Sequence, residues 1–229
     1  MIMAGILYGV GVGPGDPELM TRKACRILLE NDVIAAPGED VRETVAYKIA
    51  AAAVPEIADK TLLPIYMPMV MDKARQIENH KKGAKRIEEV LDEGKNVVFI
   101  TLGDPSIYST FSYVQEIVGA DGYETAMVSG IPSFCAAAAE LNIPLTEWTE
   151  PLHVIPALHK LSTALDQSGT YVLMKSGSHM NAVKENLMAS GRKVGMVENC
   201  GMPGEKIYRS LEEIPDDAGY FSLIVAKEQ

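Results

Sequence analysis

Three glycine-containing segments carry the residue types best suited to chemistry, because glycine lets backbone N–H and C=O groups approach another molecule with no Cβ in the way. They read Gly9-Val10-Gly11-Val12-Gly13-Pro14-Gly15-Asp16-Pro17, Thr101-Leu102-Gly103-Asp104-Pro105-Ser106-Ile107-Tyr108-Ser109 and Ser129-Gly130-Ile131-Pro132-Ser133. Each ends an apolar run and opens an amphipathic one, the place where open parallel sheets bind ligands. The first segment departs from a dinucleotide fingerprint. Pro14 and Pro17 remove two N–H donors that a pyrophosphate would use, and the next apolar run ends Ala35-Ala36-Pro37 without an acid to hold a ribose. A nicotinamide cofactor is therefore disfavoured, while a sharp solvent-facing turn stays open for this segment taken alone. In the second segment the Asp104 carboxylate can reach a ligand, or only cap the next helix through the Ser106 or Ile107 N–H.

The elements that must hold these turns follow from periodicity. Strands are expected at 6–12, 33–36, 61–66, 96–102 and 125–128, with helices at 18–30, 41–53, 74–93, 109–117 and 133–141. This alternation predicts a parallel sheet covered by helices on both faces. Beyond it the rhythm changes. Residues 142–151 (NIPLTEWTEP) have the composition of a hinge, and further strands are expected at 153–155, 170–174, 193–197 and 220–226. The fold class is α/β with two α/β domains: an N-terminal one over 1–135, and a smaller one with a mixed sheet over 136–229.

Composition narrows the function. The 229 residues include 31 acidic and 21 basic side chains, a formal net charge of −10, which opposes attraction to nucleic acid or anionic lipid. No apolar stretch approaches the roughly 18 residues of a membrane span, and no secretory signal is expected. Cys25, Cys135 and Cys200 are widely spaced and odd in number, which favours the cytoplasm and a reading as small buried hydrophobes. His80, His153, His159 and His179 lack metal-ligand spacing, so no protein-bound metal is expected.

The run Gly11 to Thr21 (GVGPGDPELMT), the block Gly103-Asp104-Pro105 with Ser106-Ile107-Tyr108-Ser109, and the turn Gly130-Ile131-Pro132-Ser133 together resemble the tetrapyrrole methylases of corrin and sirohaem synthesis. The Tyr-Ser-Thr ending of the second block, the Gly-Ile-Pro-Ser-Phe turn and Glu198-Asn199-Cys200-Gly201-Met202 look most like the group acting at C20 of precorrin-2, with or without cobalt. The resemblance implies a homodimer with S-adenosylmethionine folded into a cleft between its two domains, and a tetrapyrrole substrate. It implies cofactor contacts from Pro14, Gly103, Asp104, Ile107, Tyr108, Ser133, Phe134, Met174, Cys200, Gly201 and Met202. Gly13, Pro14, Gly15 and Asp16 would face the substrate. Phe134 stands where many relatives carry a small residue, and Met174 on periodicity alone reads as core.

A methyl sulfonium needs no nucleophile from the protein; the meso carbon attacks the methyl in line, so alignment supplies most of the catalysis. Tyr108, Glu198 and His153 are candidate bases for the C20 proton, although no spacing singles one out. Arg22, Lys23, Arg75, Lys175 and His179 are candidates for the substrate carboxylates. His153 or His159 is a candidate axial ligand to a cobalt-bearing ring. The apolar run Ile65 to Met71 reads as a dimer interface or a lid over the macrocycle. Methylation at another tetrapyrrole position, a nucleotide-binding oxidoreductase and a non-catalytic binding protein are the competing functions.

Overall fold

A computed structural model describes residues 3–68, 72–156 and 165–228. The chain divides into two compact units, Met1–Pro132 and Ser133–Gln229, so the second begins with the alanine-rich helix. Met69, Val70, Met71 and His159, named above for a lid, an interface or an axial ligand, lie outside the described residues.

The first unit is built on strands β1 (Leu7–Gly11), β2 (Val33–Pro37), β3 (Thr61–Ile65), β4 (Val97–Thr101) and β5 (Thr125–Val128), ordered β3-β2-β4-β1-β5 and all parallel. Side-chain alternation along each strand divides the core into two layers. Val10, Val12, Ile34, Val98 and Ile100 face helices α1 (Arg22–Glu30) and α2 (Val45–Ala53). Leu7, Val33, Val97 and Phe99 face α3 (Lys73–Asp92) and α4 (Phe111–Ala120). Helices therefore cover both faces, as the unbroken apolar strands predicted.

Two expected helices are shorter than their periodicity suggested. Residues 18–30 form a 3-10 turn (Pro17–Leu19) and then α1, because the Thr21 hydroxyl accepts the Ala24 N–H (3.2 Å) and starts a fresh helix. Likewise Thr44 caps α2 through the Tyr47 N–H (3.2 Å), leaving residues 41–43 in a 3-10 turn. Asp72 caps α3 by accepting from the Ala74 and Arg75 amides.

The second unit carries α5 (Ser133–Leu141) and a mixed sheet of β6 (Leu152–Pro156), β7 (Thr170–Met174), β8 (Lys193–Glu198), β9 (Lys206–Tyr208) and β10 (Ser222–Lys227). Its order is β6-β7-β10-β8-β9; β6 pairs with β7 in parallel, and the pairs β7-β10, β10-β8 and β8-β9 are antiparallel. One face packs Tyr171, Leu173, Met196 and Ile224 against α6 (Met180–Ser190), a helix not anticipated above although Met180, Val183 and Leu187 keep helical spacing. On the other face Leu141 of α5 lies over Gly195, where a Cβ would come 2.9 Å from the leucine side chain.

Gly9 is a packing residue in mid-strand, not part of a turn. The Phe111 ring of α4 occupies the space its Cβ would fill. Gly9→Ala should therefore cost about 1–3 kcal/mol through overpacking, and Phe111→Leu in the Gly9→Ala background should recover part of the loss. Urea unfolding of the parent, both single variants and the double variant measures this; additive losses would contradict the direct contact.

Candidate functional site

Strands β4, β1 and β5 are neighbours, so their C-terminal turns meet at one end of the first unit's sheet. Gly13 and Gly103 pair as an antiparallel bridge: the Gly103 N–H donates to the Gly13 carbonyl (2.7 Å), and the Gly13 N–H donates back (3.2 Å). Both adopt positive φ, +78° and +72°, which glycine reaches without strain. A Cβ on Gly11 would lie 2.5 Å from the Gly103 oxygen and 2.7 Å from the Gly130 nitrogen, and one on Gly130 would overlap the Gly103 oxygen. The three turns thus touch through bare backbone.

Asp104 ties two of them together. Its Oδ1 accepts from the Ser106 amide (2.8 Å) and hydroxyl (2.5 Å), and its Oδ2 accepts from the Gly130 N–H (3.0 Å). The capping geometry weighed above is therefore present, and the same carboxylate also bridges to the third turn. It is buried and retains lone-pair capacity, since two oxygens offer about four acceptor positions. Asp16 caps the first turn through the Glu18 N–H (2.8 Å), while Gly13, Pro14 and Gly15 are buried. Ser109 accepts the Phe111 N–H and shares a 2.9 Å hydrogen bond with Thr101, anchoring the far end of the second turn. Just before it Tyr108 has φ +46° and a half-exposed side chain, and Ile107 is half-buried.

In the second unit the remaining candidates gather where β7 and β8 end. Met174 closes β7, half-buried and paired with Leu223 of the intervening β10. Lys175 follows at φ +61°, and then the fully buried Ser176. Glu198 closes β8, buried, its Oε1 accepting the Gly219 N–H (2.7 Å) and its Oε2 lying 3.4 Å from the Tyr208 hydroxyl and 3.9 Å from Lys206. Burial, reinforced by Glu198, raises the Tyr208 phenol, which favours its role as donor. After Asn199 the Cys200-Gly201-Met202 turn is fastened by the Glu205 carboxylate, which accepts the Gly201 N–H (2.6 Å). Burial, with Glu205 and Glu140 adding to it, pushes the Cys200 thiol up to about 12, so it is uncharged at neutral pH and no nucleophile. Ser133 is half-buried at the start of α5, and Phe134 is core.

His153 sits elsewhere. It lies on the edge strand β6, its ring stacked on Tyr171 (4.5 Å, 18°) and its Nε2 2.9 Å from the Ser168 carbonyl. Arg192 stacks on the same tyrosine and donates to the Gly169 and Gln167 carbonyls, so this group braces the 165–169 loop. Strands β7 and β10 separate His153 from Glu198. Among the cationic candidates, Arg22 and Lys23 are exposed at the start of α1 just after the first turn, and Arg75 is paired with Asp72 (3.8 Å). Lys175 is half-buried and His179 exposed. Sequence reasoning missed the Asp104 to Gly130 tie and the serine after Lys175; a strand-ending Ser-Gly pair was the only available signal for the latter.

Asp104→Asn should destabilise the fold by about 1.5–3 kcal/mol, because its amide sets an N–H₂ against the Ser106 or Gly130 donor. Chemical denaturation reads this directly; an unchanged midpoint would mean that the tie contributes nothing.

The tetrapyrrole (corrin/porphyrin) methylase pattern matches residues 6–215. A Methanocaldococcus jannaschii protein called probable cobalt-precorrin-2 C(20)-methyltransferase is 35% identical over 96% of this chain and 95% of its own length. The Salmonella typhimurium cobalt-precorrin-2 C(20)-methyltransferase is 32% identical, covering 99% of this chain and 98% of its own. Among solved structures, the uroporphyrin-III C-methyltransferase from Thermus thermophilus complexed with S-adenosylhomocysteine superposes with a TM-score of 0.73 at 21% identity, over 98% of both chains, a likeness of fold. With matched sequence, turns and two-sheet architecture in agreement, the chain belongs to the tetrapyrrole methylase family.

Proposed function

We propose that this chain transfers a methyl group from S-adenosylmethionine to C20 of precorrin-2 carrying cobalt, a step of cobalamin (corrin) biosynthesis. The observation that carries the reading is the end-to-end 35% identity with the Methanocaldococcus jannaschii relative of that name. The residues present suit a sulfonium cofactor. Segments 11–19, 101–109 and 129–134 hold Asp16, Glu18 and Asp104 and no Lys or Arg, an environment that favours a cation and opposes a pyrophosphate. We assign the cofactor to Pro14, Gly103, Asp104, Ile107, Tyr108, Ser133, Phe134, Met174, Cys200, Gly201 and Met202, and the substrate to Gly13, Pro14, Gly15 and Asp16. A homodimer of two-domain subunits in the cytoplasm completes the reading. The free cysteines, odd in number and widely spaced, support that compartment. Among the described residues no helix is long and apolar enough to cross a membrane.

S-adenosylmethionine supplies an electrophilic methyl group. What the chain adds is placement: the glycine contacts and the Asp104 tie hold three turns rigid, so aligning the reactants costs little at the moment of reaction. Arg22 and Lys23, at the start of α1, can meet substrate carboxylates as charge-assisted partners. Of the three candidate bases, Tyr108 stands half-exposed on the second glycine turn, beside Gly103, Asp104 and Ile107. Tyr108 is our choice for handling the C20 proton.

Incubation with labelled S-adenosylmethionine and either cobalt-precorrin-2, metal-free precorrin-2 or uroporphyrinogen III should give a gain of one methyl, fastest with the cobalt substrate. Faster turnover of the metal-free ring would reassign the branch, and turnover of uroporphyrinogen III alone would remove the C20 reading. Tyr108→Phe should lower kcat by about a hundredfold or more while S-adenosylhomocysteine affinity stays within about twofold. An intact rate would exclude Tyr108 as the base.

A further inference from the structure

We propose that the Ser176 hydroxyl is a hydrogen-bonding contact for the neutral nucleoside end of the cofactor, an inference that rests on the methyltransferase reading. Ser176 is fully buried, and among the described residues its Oγ and Glu88 Oε1 are the buried side-chain polar atoms without a hydrogen-bond partner. Such groups are rare in folded chains, because each forfeits its bonds to water and gains nothing in return. Alanine would serve the fold better at this position.

Several polar groups of the neighbouring backbone are already engaged. The Ser176 carbonyl already accepts the His179 N–H (3.0 Å). On one side Gly177 is pressed against the 218–219 turn, where a Cβ would lie 2.5 Å from the Gly219 oxygen and 2.8 Å from the Ala218 oxygen. The Gly219 N–H is committed to Glu198, and its carbonyl accepts the Ser222 hydroxyl (2.7 Å). Ser176 also stands two residues beyond Met174, at the strand end where β7 turns away from the sheet. A hydroxyl donates and accepts while carrying no charge, which matches ribose hydroxyls or an adenine edge. The ammonium and carboxylate of the amino-acid end call for charged or multiple partners instead.

Calorimetric titration of the full chain and its Ser176→Ala variant with S-adenosylhomocysteine and with 5′-methylthioadenosine, alongside ligand-free melting temperatures, tests the proposal. Expected is about tenfold weaker binding of both ligands by the variant, the size of one lost hydrogen bond, with a ligand-free melting temperature equal to or above the parent's. Equal affinity of parent and variant would overturn it. So would a lowered ligand-free melting temperature, which would reveal a partner within the fold, or a loss confined to S-adenosylhomocysteine, which would move the contact to the amino-acid end. A parent chain that binds neither ligand would overturn the cofactor reading itself, a result distinct from all of these.

Discussion

Contact between bare backbones at Gly11, Gly103 and Gly130 constrains the first unit more than any other single interaction. Gly11 and Gly130 can approach the Gly103 carbonyl so closely only because neither carries a side chain, and Gly103 itself turns at φ +72°. That requirement sets the glycines, and the glycines in turn leave amides that need acceptors. Asp104 supplies one for Gly130 and one for Ser106, so a single carboxylate both starts its own turn and fastens its neighbour. The burial of this carboxylate is offset because both of its oxygens accept hydrogen bonds. The turns are then rigid by construction, which suits a reaction governed by alignment more than by a protein nucleophile.

The second unit solves a comparable problem with side chains in place of backbone contact. Glu198 at the end of β8 holds Gly219 in the turn before β10, while Glu205 holds Gly201 in the turn after β8. Arg192, Tyr171 and His153 brace the opposite part of the sheet by stacking and by hydrogen bonds to the 165–169 carbonyls. Several acidic residues therefore act as acceptors for loop amides, so part of the negative charge serves the architecture.

What was legible in the sequence was local. Apolar runs closed by glycine or proline marked every strand of the first unit to within a residue or two, and the alternation with helices implied the parallel sheet. Gly9 was misleading because its reason is the ring of Phe111, distant in sequence and invisible to periodicity. The capping and ligand readings of Asp104 could not be separated locally, since the Gly130 amide comes from another strand end. Nothing local in the sequence told that His153 stands on the edge strand β6 with its ring stacked on Tyr171, a partner 18 residues further on. The short β9 lacked enough residues to show alternation, whereas α6 carried a readable Met180, Val183, Leu187 spacing.

Strand β10 has a consequence for synthesis of the chain. It follows all its sheet partners in sequence, yet it lies at the centre, hydrogen-bonded to β7 on one side and β8 on the other. Until residues 222–227 have left the ribosome, the β6-β7 pair and the β8-β9 pair have unpaired inner edges and no common core. The first unit has all five of its strands by residue 128 and is free to fold while translation continues. The nascent second unit therefore passes through a stage with two open strand edges, the state in which chaperone capture or mispairing with a neighbouring nascent chain competes with folding.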